Sequence, residues 1–252
     1  SEAVEPYFNA TPVPNDVAVT IKKKLGITRP FVLYTGGADE RKNLTRLIEA
    51  YSLLPPTLRN QHQLVFAGKL HESEMDRMRI VARRVRLQED ELLFTGYISD
   101  EELICLYKLC AIFVFPSWHE GFGLPALEAM TCGAPVIGSN TTSIPEVIGL
   151  DEALFDPFNV SSISQKMAQV LGDDSFRARL CIHGLSQAKK FSWDATARRA
   201  ISAWETLARK KIDQNPDDRF VSSYHRLLEA LADTLANSWD DYVVIDVARS
   251  LA

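Results

Sequence analysis

The chain alternates short apolar segments with longer amphipathic ones, and this alternation strongly restricts the fold. The apolar segments are rich in β-branched and aromatic residues and cover residues 31–34, 64–68, 92–96, 112–116 and 135–138, with a shorter one at 153–155. Helical spacing follows at 43–54, 72–86, 99–110 and 125–132, and a short helix follows Ser143 as its cap. Strands that are apolar throughout are typical of a parallel sheet covered on both faces. The sequence therefore predicts an α/β, Rossmann-like parallel sheet with helices on both faces and further helices at the C-terminal end.

The two ends of the chain follow different patterns. Residues 1–20 contain Pro6, Pro12 and Pro14 with little periodicity, which predicts an extended linker or inter-lobe hinge. The sheet-forming lobe is expected over 21–211, and 212–252 should be a linker and a helical extension toward a further domain. After residue 158 the pattern is purely helical, and it predicts helices near 160–171, 174–190, 193–210, 220–236 and 240–250. Because the chain begins at Ser1 rather than Met, we expect a fragment of a longer polypeptide.

The net charge and the cysteines limit the kinds of binding partner and the cellular compartment that we expect. The net charge of −5 disfavours a nucleic-acid partner, which usually needs a basic face. The four cysteines form no CxxC pair and have no zinc-site spacing, and free buried thiols are typical of a reducing compartment. No signal peptide or membrane-length apolar run is visible. We therefore expect a cytoplasmic protein without a transmembrane segment, which could still associate peripherally with a membrane in a longer protein.

The first candidate site follows the first predicted strand, with the sequence GGADERKN at residues 36–43. Gly36 and Gly37 let the backbone approach a ligand, and the following helix start favours an anion. Arg41 and Lys42 add positive charge at the same point, which indicates a phosphate site. The alternative is a solvated charged turn capped by Asn43. The loop matches neither a dinucleotide fingerprint nor a Walker loop.

The second candidate site is PSWHEGFGLPALEAM, at residues 116–130. The loop segment Gly121, Phe122, Gly123 and Leu124 leads into a helix whose free N–H groups could bind an anion or a hydroxyl. Glu120 precedes that helix and Glu128 lies about one turn inside it, and carboxylates accept hydrogen bonds from sugar hydroxyls. The alternatives are that Glu120 is a surface loop residue and that Glu128 only complements the helix dipole.

The third candidate site is FTGYISDEEL, at residues 94–103. Tyr97 follows a glycine at the end of a strand, so its ring could stack on a base while the backbone at Ile98 reads a base edge. The alternative, that Tyr97 merely packs on its own loop, is equally open at this point.

Together these segments resemble one family. The run EGFGLPALEAM resembles the E-x7-E signature of retaining glycosyltransferases of family 4 (group 1), which have the two-lobed GT-B fold. YTGGADERKN and FTGYISDEEL are similar to that family's first strand–loop and base-binding loop, and SIPEVIG at 143–149 is also similar. The similarity covers residues 1–208, all within the C-terminal lobe. The RKN sequence resembles mannosyltransferases that build bacterial surface polysaccharide.

The resemblance implies a role for each candidate residue. Arg41 and Lys42, with backbone N–H groups at Gly36 and Gly37, would bind the donor diphosphate; many relatives carry an Arg where this chain has Gly37. Glu120 would hold the transferred sugar as the catalytic-site carboxylate, although not as a nucleophile. The remaining implied contacts are Gly121, Phe122, Gly123 and Leu124 to the sugar or its phosphate, Glu128 to the ribose, and Tyr97 and Ile98 to the base.

The resemblance also implies the reaction and the partners. A nucleoside-diphosphate sugar, GDP-mannose by resemblance, would donate a hexose to a glycan or lipid-linked acceptor held by a separate N-terminal lobe. No metal or other cofactor is expected if Arg41 and Lys42 neutralise the leaving diphosphate. Alternatives are a non-catalytic nucleotide-sugar-binding module and an enzyme similar to nucleotide-sugar 2-epimerases. A nicotinamide dehydrogenase is disfavoured by the absence of GxGxxG.

Overall fold

The computed structural model describes the backbone of residues 3–214 and the side chains of residues 3–207. The chain divides into two compact units, the first ending at Trp193 and the second beginning at Asp194. The helices predicted at 220–236 and 240–250, and most of the linker before them, lie outside the described residues.

The first unit contains a six-stranded parallel sheet in the order β3-β2-β1-β4-β5-β6. All residues of β1, β2, β4 and β5 are buried, which explains why these strands are apolar without alternation. The predicted Rossmann-like sheet is confirmed. The strands are β1 Phe31–Thr35, β2 Gln63–Ala67, β3 Leu92–Phe94, β4 Ile112–Phe115, β5 Val136–Ser139 and β6 Leu154–Phe155.

Helices connect the strands, so that each parallel crossover returns over a face of the sheet. Hydrophobic residues of these helices complete a continuous core with the strands. The helices are α1 Asn15–Lys24, α2 Leu44–Ser52, α3 Pro56–Arg59, α4 Glu72–Arg84, α5 Asp100–Leu109, α6 Leu124–Thr131, α7 Ile144–Ile148, α8 Val160–Gly172, α9 Asp174–Ala188 and α10 Trp193–Gln214. None of the described helices is both long and apolar enough to cross a bilayer.

The structure differs from the sequence prediction near the N-terminus. An extended conformation was expected through residue 20, but α1 begins at Asn15, directly after Pro14. The helix fully buries none of its residues, and Val19 is two-thirds exposed, although Ile21 is partly buried against the core. Its pairing with α5 includes an ion pair of 2.6 Å between Lys24 Nζ and Glu102 Oε1. At the other end of the described chain, α10 continues beyond the predicted residue 210 to Gln214.

The loops after β1 and β4 lie where the strand order of the sheet reverses. From β1 the chain continues to β2 on one side, whereas β4 lies against the other side of β1 and leads on to β5. In open α/β sheets, ligands bind at the carboxyl ends of the strands where the strand order reverses in this way. Two of the three candidate segments, 36–43 and 116–123, are the loops at this position.

Candidate functional site

The loop after β1 is shaped by its first two glycines. Gly36 has φ of 133°, and a Cβ there would lie 2.9 Å from Tyr34 Oη, so a side chain would be both strained and crowded. Tyr34 Oη donates a 2.7 Å hydrogen bond to Gly37 O, which fixes the start of the loop. The loop ends in a single 3-10 turn, Glu40–Lys42, directly before α2. Gly36 is therefore required for the shape of the loop, whether or not a ligand is bound, whereas a Cβ at Gly37 would meet only an ordinary contact of 3.8 Å with Asp39.

Asn43 joins three loops at the carboxyl edge of the sheet. Its backbone is left-handed, with φ of 61°, and its side chain is buried. Its amide nitrogen Nδ2 donates to Pro116 O at 3.0 Å, in the loop after β4, and to Pro157 O at 2.7 Å, after β6. The alternative of a turn capped by Asn43 is wrong, because the side chain makes no cap hydrogen bond to α2.

A compact charged cluster connects the loops after β1 and β4. Lys42 Nζ lies 2.7 Å from Glu120 Oε1, and Arg41 Nη1 lies 2.9 Å from Glu120 Oε2. Arg41 Nε also pairs with Asp39 Oδ1 at 2.9 Å. The side chains of Lys42 and Glu120 are only 13% and 10% exposed, whereas that of Arg41 is 43% exposed. The residues assigned to the diphosphate and to the sugar thus contact one another, and Glu120 is not merely a surface loop residue.

The surroundings of Glu120 keep it ionised. Burial raises the pKa of its carboxyl, but the hydrogen bond from Lys42 and the charges of Lys42 and Arg41 outweigh burial, so the pKa is lowered overall. The carboxylate already accepts one hydrogen bond at each oxygen from the two cations, so an anion that draws Arg41 and Lys42 away would free further acceptor capacity on Glu120. The cluster is therefore built so that binding of an anion would change the environment of Glu120.

The backbone of the loop after β4 is held by two hydroxyl side chains. The N–H of Glu120 donates to Thr142 Oγ1 at 3.2 Å. Ser143 Oγ donates to Phe122 O at 2.8 Å and to Glu120 O at 3.1 Å. Ser143 stands at the N-cap of the short helix α7, as predicted, but its hydroxyl makes no cap hydrogen bond to that helix. Its role is to fix the loop that carries Glu120.

The start of α6 leaves space for a ligand. Gly121 has no atom within 4 Å of the position where a Cβ would be, so its surface is open. Gly123 has φ of 109° and stands at the N-cap of α6, whose first residue is Leu124. The N–H groups of a first helical turn have no partner within the helix and can bind an anion or a hydroxyl. Phe122 is half-buried and packs its ring 5.6 Å from the ring of Phe191, which anchors the loop.

Glu128 lies one turn further along α6 and belongs to a second polar network. Tyr107 Oη donates to Glu128 Oε2 at 2.9 Å, and it also contacts Thr35 Oγ1, at the end of β1, at 3.0 Å. Burial raises the pKa of the Glu128 carboxyl, and the hydrogen bond from Tyr107 only partly offsets this. The first turn of α6 contains no acidic residue, so Glu128 does not lie where the helix dipole acts most strongly.

Tyr97 and Ile98 follow β3, the edge strand, two strands from β1. The preceding Gly96 has φ of 70°, and its carbonyl accepts a 3.2 Å hydrogen bond from the N–H of Gly68, after β2. Tyr97 is 79% exposed, so the alternative that its ring packs on the loop is wrong. Ile98 is partly buried against the core. The exposed ring of Tyr97 is therefore open to stacking by a ligand.

Several contacts of the site had no signal in the sequence. Tyr107, in the interior of α5, supplies the hydrogen bond to Glu128, and Thr142 and Ser143 hold the Glu120 loop. Asp39 is the second partner of Arg41. Asp39 and Ser143 lie within the segments 36–43 and 143–149, but nothing in those segments indicates these contacts, and Tyr107 and Thr142 lie outside every motif.

Comparison with known proteins agrees with this architecture. Residues 19–184 match the family model described as "Glycosyl transferases group 1". The chain is 45% identical over 188 residues to the serotype-specific mannosyltransferase WbdA of Escherichia coli, covering 75% of this chain and 23% of that protein. It is 42% identical over 177 residues to the O-antigen chain mannosyltransferase B of the same organism, covering 70% of this chain and 46% of the relative.

A solved structure gives the same fold. Sucrose-phosphate synthase from Thermosynechococcus elongatus superposes with a TM-score of 0.65 at 28% identity, over 82% of this chain and 51% of that one. The chain thus spans about a quarter of the length of WbdA and about half of this structural neighbour. Because the family model matches well over half of its residues, the chain belongs to the group 1 glycosyl transferases.

Proposed function

We propose that the chain is the donor-binding lobe of a retaining hexosyltransferase that takes mannose from GDP-mannose and transfers it to a growing glycan. The observation that carries the proposal is the meeting of Arg41, Lys42 and Glu120 where the strand order reverses. A donor of this kind has an anionic diphosphate joined to a neutral sugar. The cluster combines two cations with a carboxylate, which matches both parts.

The diphosphate is assigned to Arg41, Lys42 and the backbone at Gly36 and Gly37. Negative charge on the leaving nucleoside diphosphate grows as the glycosidic bond breaks, and fixed cations at that point stabilise the transition state. Lys42 is nearly buried, so its charge is screened less by water than that of an exposed lysine. Two cations also supply the positive charge that this mechanism needs without a metal ion.

The transferred sugar is assigned to Glu120 and the loop that follows it. When the diphosphate engages Arg41 and Lys42, the oxygens of Glu120 can accept hydrogen bonds from sugar hydroxyls. The open surface at Gly121 and the free N–H groups around Phe122, Gly123 and Leu124 then face the sugar or its phosphate. Glu120 positions the sugar in this mechanism and is not its nucleophile.

The nucleoside is assigned to Glu128, Tyr97 and Ile98. An ionised carboxylate has about four acceptor sites, so the hydrogen bond from Tyr107 to Glu128 leaves capacity for the ribose hydroxyls. The exposed ring of Tyr97 offers a stacking surface for the base. In this arrangement the donor extends along the carboxyl edge of the sheet, from β3 to β4.

The choice of mannose, and of a glycan as acceptor, is supported by two relatives named as mannosyltransferases, one of them as an O-antigen chain enzyme. The acceptor would be held by a second lobe facing this one. A cytoplasmic location is supported by the four unpaired cysteines, since free thiols are typical of a reducing compartment.

Calorimetric titration of the chain with GDP, UDP and ADP, and with their sugar conjugates, tests the proposal. GDP-mannose should bind more tightly than UDP- or ADP-sugars, and guanosine should bind far more weakly than GDP. Selective binding of another nucleotide would refute the GDP assignment. Equal binding of guanosine and GDP would refute the diphosphate site.

A further inference from the structure

A pocket beside the charged cluster is not used by the proposed donor. It has a volume of about 320 Å³ and lies between the loop after β1, the start of α2, and α4. Charged side chains and one indole dominate its wall: Asp39, Glu40, Arg46, Glu49, Arg77 and Trp118. The pocket adjoins the donor site, because Asp39 pairs with Arg41 and Trp118 is two residues before Glu120.

The indole of Trp118 is the aromatic part of the pocket wall, and a second ring supports it from outside the wall. The ring of Trp118 stacks on that of Phe158, with 5.9 Å between centroids and an interplanar angle of 24°. Phe158 is 57% exposed, so its ring is accessible to solvent. The guanidinium of Arg46 lies 5.7 Å from both ring centroids. It also donates a 3.0 Å hydrogen bond to the buried Asn43, so the rings face a fixed cation.

The charges of the wall define the chemistry of the occupant. Three carboxylates, of Asp39, Glu40 and Glu49, would repel an anion, and the guanidiniums of Arg46 and Arg77 would repel a cation. A neutral molecule with many hydroxyl groups avoids both penalties, because a hydroxyl donates to carboxylates and accepts from guanidiniums. Its apolar C–H face can at the same time cover an indole ring. A hexose combines these properties.

We infer that this pocket binds a neutral hexose unit of the glycan acceptor. The inference rests on the proposed function for the identity of the glycan, whereas the pocket itself is defined by its own residues. A glycan anchored there would run past Trp118 toward Glu120, where transfer would occur. The lobe that binds the donor would then also hold part of the acceptor.

The test uses linear mannotriose as the probe and the chain saturated with GDP. Phe158→Ala removes the ring that holds the indole of Trp118 in the pocket wall, so it should weaken mannotriose binding about fivefold, the scale of an aromatic pair, and leave GDP binding unchanged. The matched control is Tyr7→Ala, which removes another half-exposed ring that packs against an aromatic neighbour, Phe8, at 4.9 Å between centroids. This control should bind mannotriose as the unmodified chain does.

A second measurement does not depend on any variant. Mannotriose should shift the indole N–H resonance of Trp118 in an NMR titration and leave that of Trp193 unchanged. If GDP binds but mannotriose leaves Trp118 unaffected, or if Tyr7→Ala weakens mannotriose binding as much as Phe158→Ala does, the pocket assignment is overturned and the donor site stands. If GDP itself does not bind, the proposed function falls instead.

Discussion

Replacing Glu120 by Gln should make the chain bind GDP more tightly. In the structure, Glu120 accepts hydrogen bonds from Lys42 at 2.7 Å and from Arg41 at 2.9 Å. A diphosphate must compete with this carboxylate for both cations. Glutamine keeps the shape of the side chain but removes the negative charge, so the cations are left to the phosphates. The prediction runs against the usual expectation that changing a residue of the site weakens binding.

The structure sets the size of the effect. A hydrogen bond between charged groups contributes about 1.5–3 kcal/mol, but Arg41 is 43% exposed and its share is largely screened by solvent. The hydrogen bond from Lys42 therefore dominates. The amide oxygen of glutamine can still accept a hydrogen bond from Lys42, so only part of this interaction is lost. We expect a gain of about 1–2 kcal/mol for GDP, which corresponds to roughly five- to thirtyfold tighter binding. The preference for GDP-mannose over GDP should decrease, because the variant lacks the Glu120 carboxylate that would accept hydrogen bonds from the sugar.

The assay is calorimetry of both chains with GDP and GDP-mannose. Glu40→Gln is the matched control, because it removes the same charge from an exposed residue next to Arg41, in the loop after β1. Salt screens an exposed charge, so this control should change GDP affinity less than about twofold. Unchanged or weaker GDP binding by Glu120→Gln would refute the competition between carboxylate and phosphate.

The lowered pKa of Glu120 predicts that the stability this residue contributes depends on pH. Because the folded-state pKa of Glu120 is lowered, the ion pairs contribute fully above the ordinary value of 4.5 and are lost as the pH falls through the lower folded value. The difference in unfolding free energy between the unmodified chain and Glu120→Gln should thus be constant from neutral pH to about pH 5 and decrease in stronger acid. Denaturant unfolding across this range measures it, and a difference that disappears near neutral pH would contradict the assigned direction.

Four further variants test other parts of the site. Changing Arg41 and Lys42 together to Ala should weaken GDP binding by about 2–4 kcal/mol and change guanosine binding little. If calorimetry shows the same loss for both ligands, the assignment of the diphosphate to these residues is refuted. Glu128→Gln should weaken GDP binding by about 1–3 kcal/mol. It should also raise the melting temperature, because it removes a buried carboxylate whose pKa is raised. If the unmodified chain binds 2′-deoxy-GDP as well as it binds GDP, a contact to the 2′-hydroxyl is excluded. Asn43→Ala should lower the free energy of unfolding by about 2–4 kcal/mol through two lost hydrogen bonds and a strained left-handed residue. Asn43→Gly should be less destabilised because glycine tolerates that conformation.

The sheet could be predicted from the sequence because every residue of its central strands is buried. Continuous apolar runs as short as β1 and β2, followed by turn residues and helical spacing, are typical of strands covered on both faces. Helix α1 could not be predicted in the same way. It packs without fully burying a residue, so its apolar signal is weak, and the prolines before it indicated an extended chain.

The candidate site was predictable as a set of loops but not as a set of contacts. Glycines at tight turns and cations before a helix are local signals, and they located the loops after β1 and β4. The ion pair between Lys42 and Glu120 joins residues 78 positions apart, and it depends on Asn43 holding those loops together. Nothing in the local pattern of either motif specifies that contact. The hydroxyl of Tyr107 that reaches Glu128 is another product of folding alone.

A crystal structure of the chain with GDP bound tests the central claim most directly. We predict that the diphosphate lies within hydrogen-bond distance of Lys42 Nζ, with Glu120 released from that contact and the ribose hydroxyls on Glu128. Nucleotide bound elsewhere on the sheet edge, or a diphosphate bound while Lys42 and Glu120 keep their separation of 2.7 Å, would contradict it.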